Sequence, residues 1–277
     1  HDVAVQTWVL QGCGLELKQV FLKHINRDCV YPDLSNLFKT EDITEPVRAV
    51  LPTIPKKLSE YKSMLDKPEL NVTIGEHCSN PYDCQFVDYC WKDVPEHSIF
   101  TVPRLRWTVK ERLIAENKIT IDNLPGSFSL NDNQLNYLKS LEMQKPIVDW
   151  NGIDGELGKL KYPLYFLDFE TDGPAVPRYD GLHPYEQFPF LYSCHVLDEK
   201  GNLEHYEYLH ESDSGPRQPL SESLTKTIGE SGSVIAYNAG FEKGVMSRLA
   251  QWYPEYTESL QSIIDRLWGQ LNIFRNF

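Results

Sequence analysis

Asp168 and Glu170 stand two residues apart in the apolar run Tyr165-Phe-Leu-Asp-Phe-Glu-Thr-Asp172. Successive side chains of a strand point to opposite faces, so a strand here sends both carboxylates out of one sheet face, about 7 Å apart along it. Among Tyr165, Phe166, Leu167 and Phe169, the two acids need solvation at the strand's end or neutralisation by cations. Hard divalent ions such as Mg²⁺ or Mn²⁺ take carboxylate oxygens and keep positions open for phosphate and water. A second segment, Val234-Ile-Ala-Tyr-Asn-Ala-Gly-Phe-Glu-Lys243, reads as an aliphatic strand that hands over to a helix. With Val245, Met246 and Leu249 turned to the sheet, Glu242 falls in the first helical turn, on the side towards Asp168.

Asp-Phe-Glu-Thr on a strand, followed by a strand running into Tyr-Asn-Ala-Gly-Phe-Glu, resembles the first and second motifs of DEDD (DnaQ-like) 3′–5′ exonucleases. The resemblance implies that Asp168 and Glu170 are catalytic metal ligands and that Glu242 occupies a place where most members carry Asp. Asn238 matches the family, and Tyr237 replaces a frequent His. The stretch Tyr165 to Asp265, including Pro177-Arg-Tyr-Asp-Gly-Leu-His-Pro-Tyr185, is similar to a bacterial family of unknown function that joins a RecB-like segment to such a domain. The implied chemistry is two-metal phosphodiester hydrolysis, in which Asp168 and Glu170 hold the ions and Glu242 completes the second. The family's late His or Tyr and its fourth acid are expected after Phe277, so the domain is expected to be incomplete at its C-terminus. Asp265 is similar to the acid of a later strand and is expected to support the structure or border the site.

Cys78, Cys84 and Cys90 are evenly spaced, and Ser79, Asn80 and Pro81 form a turn between the first two. Three cysteines in a cytoplasmic chain favour metal over a disulfide framework. A fourth ligand is then needed, and His77, Cys13 and Cys29 are the local choices. The triplet resembles the C-terminal cysteines of RecB-like nucleases of the CRISPR-associated type, in which three late cysteines and one early cysteine hold an iron–sulfur cluster. Asp2-Val-Ala-Val-Gln6 with Trp8 and Leu10 is similar to the Gln-containing helix after their nuclease core. The resemblance implies an iron–sulfur cluster with its fourth cysteine upstream; zinc and free buried thiols are the other readings. Cys194 is most simply a core thiol.

The elements that must position these groups fall into two parts. Residues 1–150 read as a mainly helical, partial RecB-like segment: a helix over Asp2 to Gln11, a strand over Leu15 to Ile25, and a helical run from Pro46 to Leu65 delimited by Pro52 and Pro55. Further helices are expected over Arg104 to Asn117 and Asp132 to Leu141, the latter capped by Asn131. Lys145 to Lys161, with Pro146, Gly152, Gly155 and Gly158, reads as a linker. Residues 160–277 alternate strands (Leu164 to Glu170, Phe190 to Leu197, Leu203 to Leu209, Val234 to Tyr237) with helices (Leu220 to Gly229, Glu242 to Gln251). That order fits an α/β domain with the mixed sheet of RNase H-like folds, three antiparallel strands followed by one reached through a helix.

Composition limits the partners. With 27 basic and 40 acidic residues in 277, a net charge of −13 argues against holding nucleic acid through bulk charge, though metal ions can supply local positive charge. Local candidates are Arg104, Arg106, Lys110 and Arg112 around Trp107, and Lys56, Lys57 and Lys62, each read more readily as an ordinary solvated face. No apolar run approaches the roughly 18 residues of a spanning helix. The chain opens His1-Asp-Val-Ala without Met, as expected of a piece of a longer protein. The loop Thr171 to Pro189 leaves the acidic strand directly, so Arg178, Tyr179, His183 and Tyr185 join Asn238 as candidate contacts to a strand or an end of nucleic acid. Two classes stay open: a metal-dependent exonuclease on DNA or RNA, and a nucleic-acid- or protein-binding module in which an exonuclease fold has drifted.

Overall fold

The computed structural model describes residues 1–67, 72–124 and 129–277. The chain divides into two compact units, one of His1–Lys57 with Asn151–Arg275, the other of Leu58–Trp150 with Asn276–Phe277. The first 57 residues, read from sequence order as part of a 1–150 segment, share the unit of the sheet.

Helix α1 (Asp2–Gly12) leads to a hairpin of β1 (Phe21–Ile25) and β2 (Phe38–Asp42), then to α2 (Thr44–Val50) and α3 (Thr53–Leu65). The strand expected from Leu15 begins only at Phe21, because the preceding backbone is satisfied by α2: Val20 donates its amide to Thr44 Oγ1 at 2.9 Å, and Arg48 Nη2 donates to the Lys18 carbonyl at 3.3 Å. Strand β2 carried no clear sequence signal. The break between α2 and α3 falls at Leu51 and Pro52, where proline cannot donate to the helix.

The second unit contains α4 (Val87–Cys90), α5 (Trp107–Ala115) and α6 (Asp132–Met143), with a small core of Ile99, Val102, Leu105 and Leu113. Asn131 caps α6 as expected, its side chain accepting from the Gln134 amide while the Gln134 side chain accepts from the Asn131 amide. Helix α5 starts at Trp107 instead of Arg104, which sits at φ 52°, outside helical geometry. The expected linker contains α7 (Trp150–Leu157), since Gly152 and Gly155 lower helix propensity without forbidding a helix.

The remaining chain forms a five-stranded sheet in the order β5-β4-β3-β6-β7. Strand β3 (Leu164–Asp172) pairs antiparallel with β4 (Phe188–Leu197), which pairs antiparallel with β5 (Leu203–Leu209). On its other side β3 runs parallel to β6 (Ser233–Ala236), and β6 parallel to β7 (Leu267–Gly269). Alternation along β3 does the sorting: Tyr165, Leu167 and Phe169 are buried, while Phe166, Asp168 and Glu170 point the other way and are exposed. Helices α8 (Arg217–Thr227), α9 (Ala239–Trp252) and α10 (Thr257–Asp265) contribute Leu220, Leu224, Val245, Met246, Leu249, Leu260 and Ile263 to the core against that buried side, where Cys194 also lies. A last short helix, α11 (Leu271–Asn276), follows β7. Asp265 is a correction to the reading of a strand acid: it ends α10, and Gln261 Nε2 donates to it at 2.6 Å. Among the described residues no helix is long and apolar enough to cross a membrane.

Candidate functional site

Strand β6 ends beside the middle of β3, near the point where Asp168 and Glu170 leave the sheet. At Glu170/Thr171 the register of β3 against β4 shifts, with Glu170 opposite Leu191 but Thr171 opposite Pro189. The extra residue, Phe190, bends the ladder where the acidic side chains leave it. Across the parallel pairing, β6 passes through Ala236 into the exposed Tyr237 and Asn238, and Asn238 is the N-cap of α9. Its carbonyl accepts from the Phe241 amide at 2.8 Å, and Leu271 donates to the Tyr237 carbonyl at 2.9 Å, so the backbone that delivers Glu242 is held from both sides.

Glu242 lies in the first turn of α9 and is only 3% exposed. Its Oε2 is buried without a hydrogen-bond partner. Burial pushes its pKa above the ordinary 4.5; its own backbone amide opposes the rise, and the nearby charge of Asp168 adds to it. The Asp168 charge thus acts on Glu242 from a different element. The helix N-terminus favours a negative charge at this position, but does not remove the need for a partner on a buried oxygen. Among the described residues, no three His, Cys, Asp or Glu side chains converge closely enough to hold a metal ion. The protein supplies a desolvated oxygen and a neighbouring carboxylate, which suit a divalent cation's ligand set without by themselves completing it.

Two features of this face escaped the sequence reading. Asp172, the next acid on β3, is neutralised by Arg178 Nη2 at 2.5 Å. Ser193, directly opposite Asp168, bonds His205 Nε2 at 2.9 Å, and the His205 ring stacks on His195 with centroids 4.3 Å apart. Opposed residues share a face, so this imidazole pair stands beside the acids. Only strand register reveals that, since the residues are far apart in sequence.

The loop after β3 splits the other candidates. Arg178 and Tyr179 line a cavity of about 500 Å³. His183 and Tyr185 instead pack on the N-terminal segment: His183 Nδ1 lies 3.2 Å from the Arg27 carbonyl, and the Arg27 guanidinium covers the Tyr185 ring at 5.4 Å. Of the basic stretches, Lys110 lies over the Trp107 and Phe100 rings at 4.9 and 5.8 Å, and burial lowers its pKa. Arg104, Arg106, Arg112, Lys56, Lys57 and Lys62 are exposed.

Cys78, Cys84, Cys90 and His77 all line one apolar cavity of about 390 Å³ in the second unit. Cys84 donates its amide to the Cys78 carbonyl at 2.8 Å, which draws the turn closed. Cys13 and Cys29, the other local ligand choices, belong to the first unit, and the Cys29 thiol donates to the Asp33 carbonyl at 3.4 Å.

The mixed sheet and the layered helices define an α/β domain. Residues 165–277 match the model of a family described as a domain of unknown function, DUF2779. No curated protein and no solved structure matches the chain.

Proposed function

We propose that residues 165–277 form an RNase H-like, DEDD-type domain that hydrolyses phosphodiester bonds of DNA or RNA from a 3′ end with Mg²⁺ or Mn²⁺. The observation that carries this reading is the Glu242 carboxylate, buried with an oxygen unpartnered and close enough to Asp168 to feel its charge. A buried carboxylate next to another acid is unfavourable in its charged form until a cation joins it. The strand order, three antiparallel strands and then a parallel strand reached through α8, agrees with the expected fold. Asp168, Glu170 and Glu242 would hold the ions, which when bound neutralise charge on the phosphate and lower the pKa of water. Asn238 and Tyr237 stand exposed at the end of β6, where an amide can hold the sugar or phosphate and a ring can stack a base.

The test is digestion of end-labelled single strands by the full-length protein with Mn²⁺. Shortening from the 3′ end that disappears in Asp168→Ala/Glu170→Ala is expected. Digestion that survives the double substitution would remove the site. One observation favours the alternative, a fold that binds nucleic acid or protein without cutting: no three acids converge among the described residues. Mn²⁺ binding without digestion would select it.

For the second unit we propose an iron–sulfur cluster on Cys78, Cys84 and Cys90. The support is that Cys78, Cys84 and Cys90 all line one apolar cavity, although among the described residues no three His, Cys, Asp or Glu side chains converge closely enough to hold a metal. Full-length protein purified without oxygen should be brown. Colourless protein with stoichiometric zinc would point to a structural zinc site instead.

A further inference from the structure

The 500 Å³ cavity beside the loop after β3 has a chemistry that the acidic site does not use. Its wall includes Arg217, the first residue of α8, which is only 6% exposed. Arg217 Nη2 donates to the Asp180 carbonyl at 2.6 Å, and the guanidinium lies 4.6 Å from the Trp252 ring centroid. Its Nε is buried and unpartnered, and none of the ion pairs among the described residues includes it. A permanently charged fork held by a carbonyl and a ring, with a donor left over, lacks an anion.

The helix start adds to the demand. The first backbone bond of α8 runs from the Leu220 amide to the Pro216 carbonyl, and Pro216 offers no side-chain cap. The Arg217 and Gln218 amides therefore have no acceptor within the helix, and this end of α8 carries the positive pole of its dipole. Arg178 stands at the rim, already shared with Asp172. Asp180 also lines the cavity and is exposed, and no carboxylate among the described residues forms an ion pair with Arg217. Tyr179 and Tyr253 supply ring faces on the same wall.

We propose that this cavity is a phosphate subsite that takes a backbone phosphate of a single-stranded nucleic acid on Arg217 and the start of α8, with a neighbouring base against the tyrosines. The inference rests on the hydrolase reading for its ligand, but its structural support is independent of the acids. A phosphate accepts the two donors of a guanidinium side by side and suits free helix amides. The volume lies in the range of small-ligand pockets.

Gly215 makes a clean test, because a Cβ there meets only the Tyr179 ring, at 3.9 Å. Gly215→Asp thus adds a carboxylate at the cavity with little steric demand, whereas Arg217→Met removes the charge. The assay is fluorescence anisotropy of a labelled short single strand with full-length protein in EDTA, where the acidic site contributes no metal. Each substitution is expected to weaken binding at least about tenfold and to lower the salt slope by about one. Asp168→Ala/Glu170→Ala should bind at least as tightly as wild type. A folded Gly215→Asp protein that binds like wild type overturns the subsite, and if wild type still digests strands with Mn²⁺ the hydrolase reading survives. Binding that depends on Arg217 without any digestion supports the subsite and removes the hydrolase reading.

Discussion

Replacing Glu242 by Gln removes one charge from the buried side of the site and leaves the shape nearly unchanged. Glu242 Oε2 has no partner, and Asp168 repels the carboxylate. A buried acceptor left unsatisfied costs about 1–3 kcal/mol, and more when charged. Metal-free Glu242→Gln should therefore be more stable than wild type by about 1–3 kcal/mol at pH 8. At about 2–4 °C per kcal/mol for a unit of this size, the melting transition of the sheet unit moves up by about 2–12 °C. Saturating Mn²⁺ reverses the order: at a hundred times its Kd the ion stabilises wild type by about 2.7 kcal/mol, whereas the neutral amide forfeits most of that gain. Differential scanning in EDTA and in Mn²⁺ reads both effects. A variant less stable than wild type in EDTA, or equal Mn²⁺ shifts in the two proteins, would refute the argument.

The pH dependence has a fixed sign. The Glu242 pKa is raised in the folded protein, chiefly by burial, so the folded state binds this proton more tightly than the unfolded chain. Its contribution to stability is fully present below the ordinary 4.5, falls as pH rises through the folded value, and is level above it. The advantage of Glu242→Gln in EDTA should accordingly vanish near pH 4, where the carboxyl is protonated in both states.

Gly232→Ala should prevent stable folding of the sheet unit, because a Cβ there would lie 2.1 Å from the Pro163 carbonyl oxygen at φ +93°; a cooperative melt like wild type would contradict this. Burial pushes the Cys194 thiol up to about 12, so native protein at pH 8 should leave it unlabelled by iodoacetamide while the exposed Cys13 reacts, as read by peptide mass spectrometry. Asn131→Ala should cost about 1 kcal/mol in urea unfolding through loss of the α6 capping box, in the transition of the second unit.

What the sequence makes legible is whatever local periodicity decides. The alternation of Tyr165, Leu167 and Phe169 against Asp168 and Glu170 assigns both faces of β3 before any pairing is known, and Asn131 with Gln134 announces the start of α6. What stays hidden depends on partners distant in the chain. Val20 looks like a strand residue until its amide is seen to serve Thr44, and Ile263-Ile-Asp265 resembles a strand although it closes α10. Ser193, His195 and His205 reach the acids only through the register of β4 with its neighbours, and Arg217 carries no signal at all, since its burial follows from Trp252 and Asp180 closing around it.

Glu242 joins the two kinds of information. Its helix and face follow from the spacing of Val245, Met246 and Leu249, but its burial and lack of a partner follow from packing. An Asp at this position would hold its carboxylate one methylene nearer the backbone and the helix amides. The longer arm reaches further from α9, and none of the described residues meets its outer oxygen. An unpaired buried charge costs the fold stability, and a neutral side chain of that shape would serve the fold better, which is the difference that Glu242→Gln in EDTA measures.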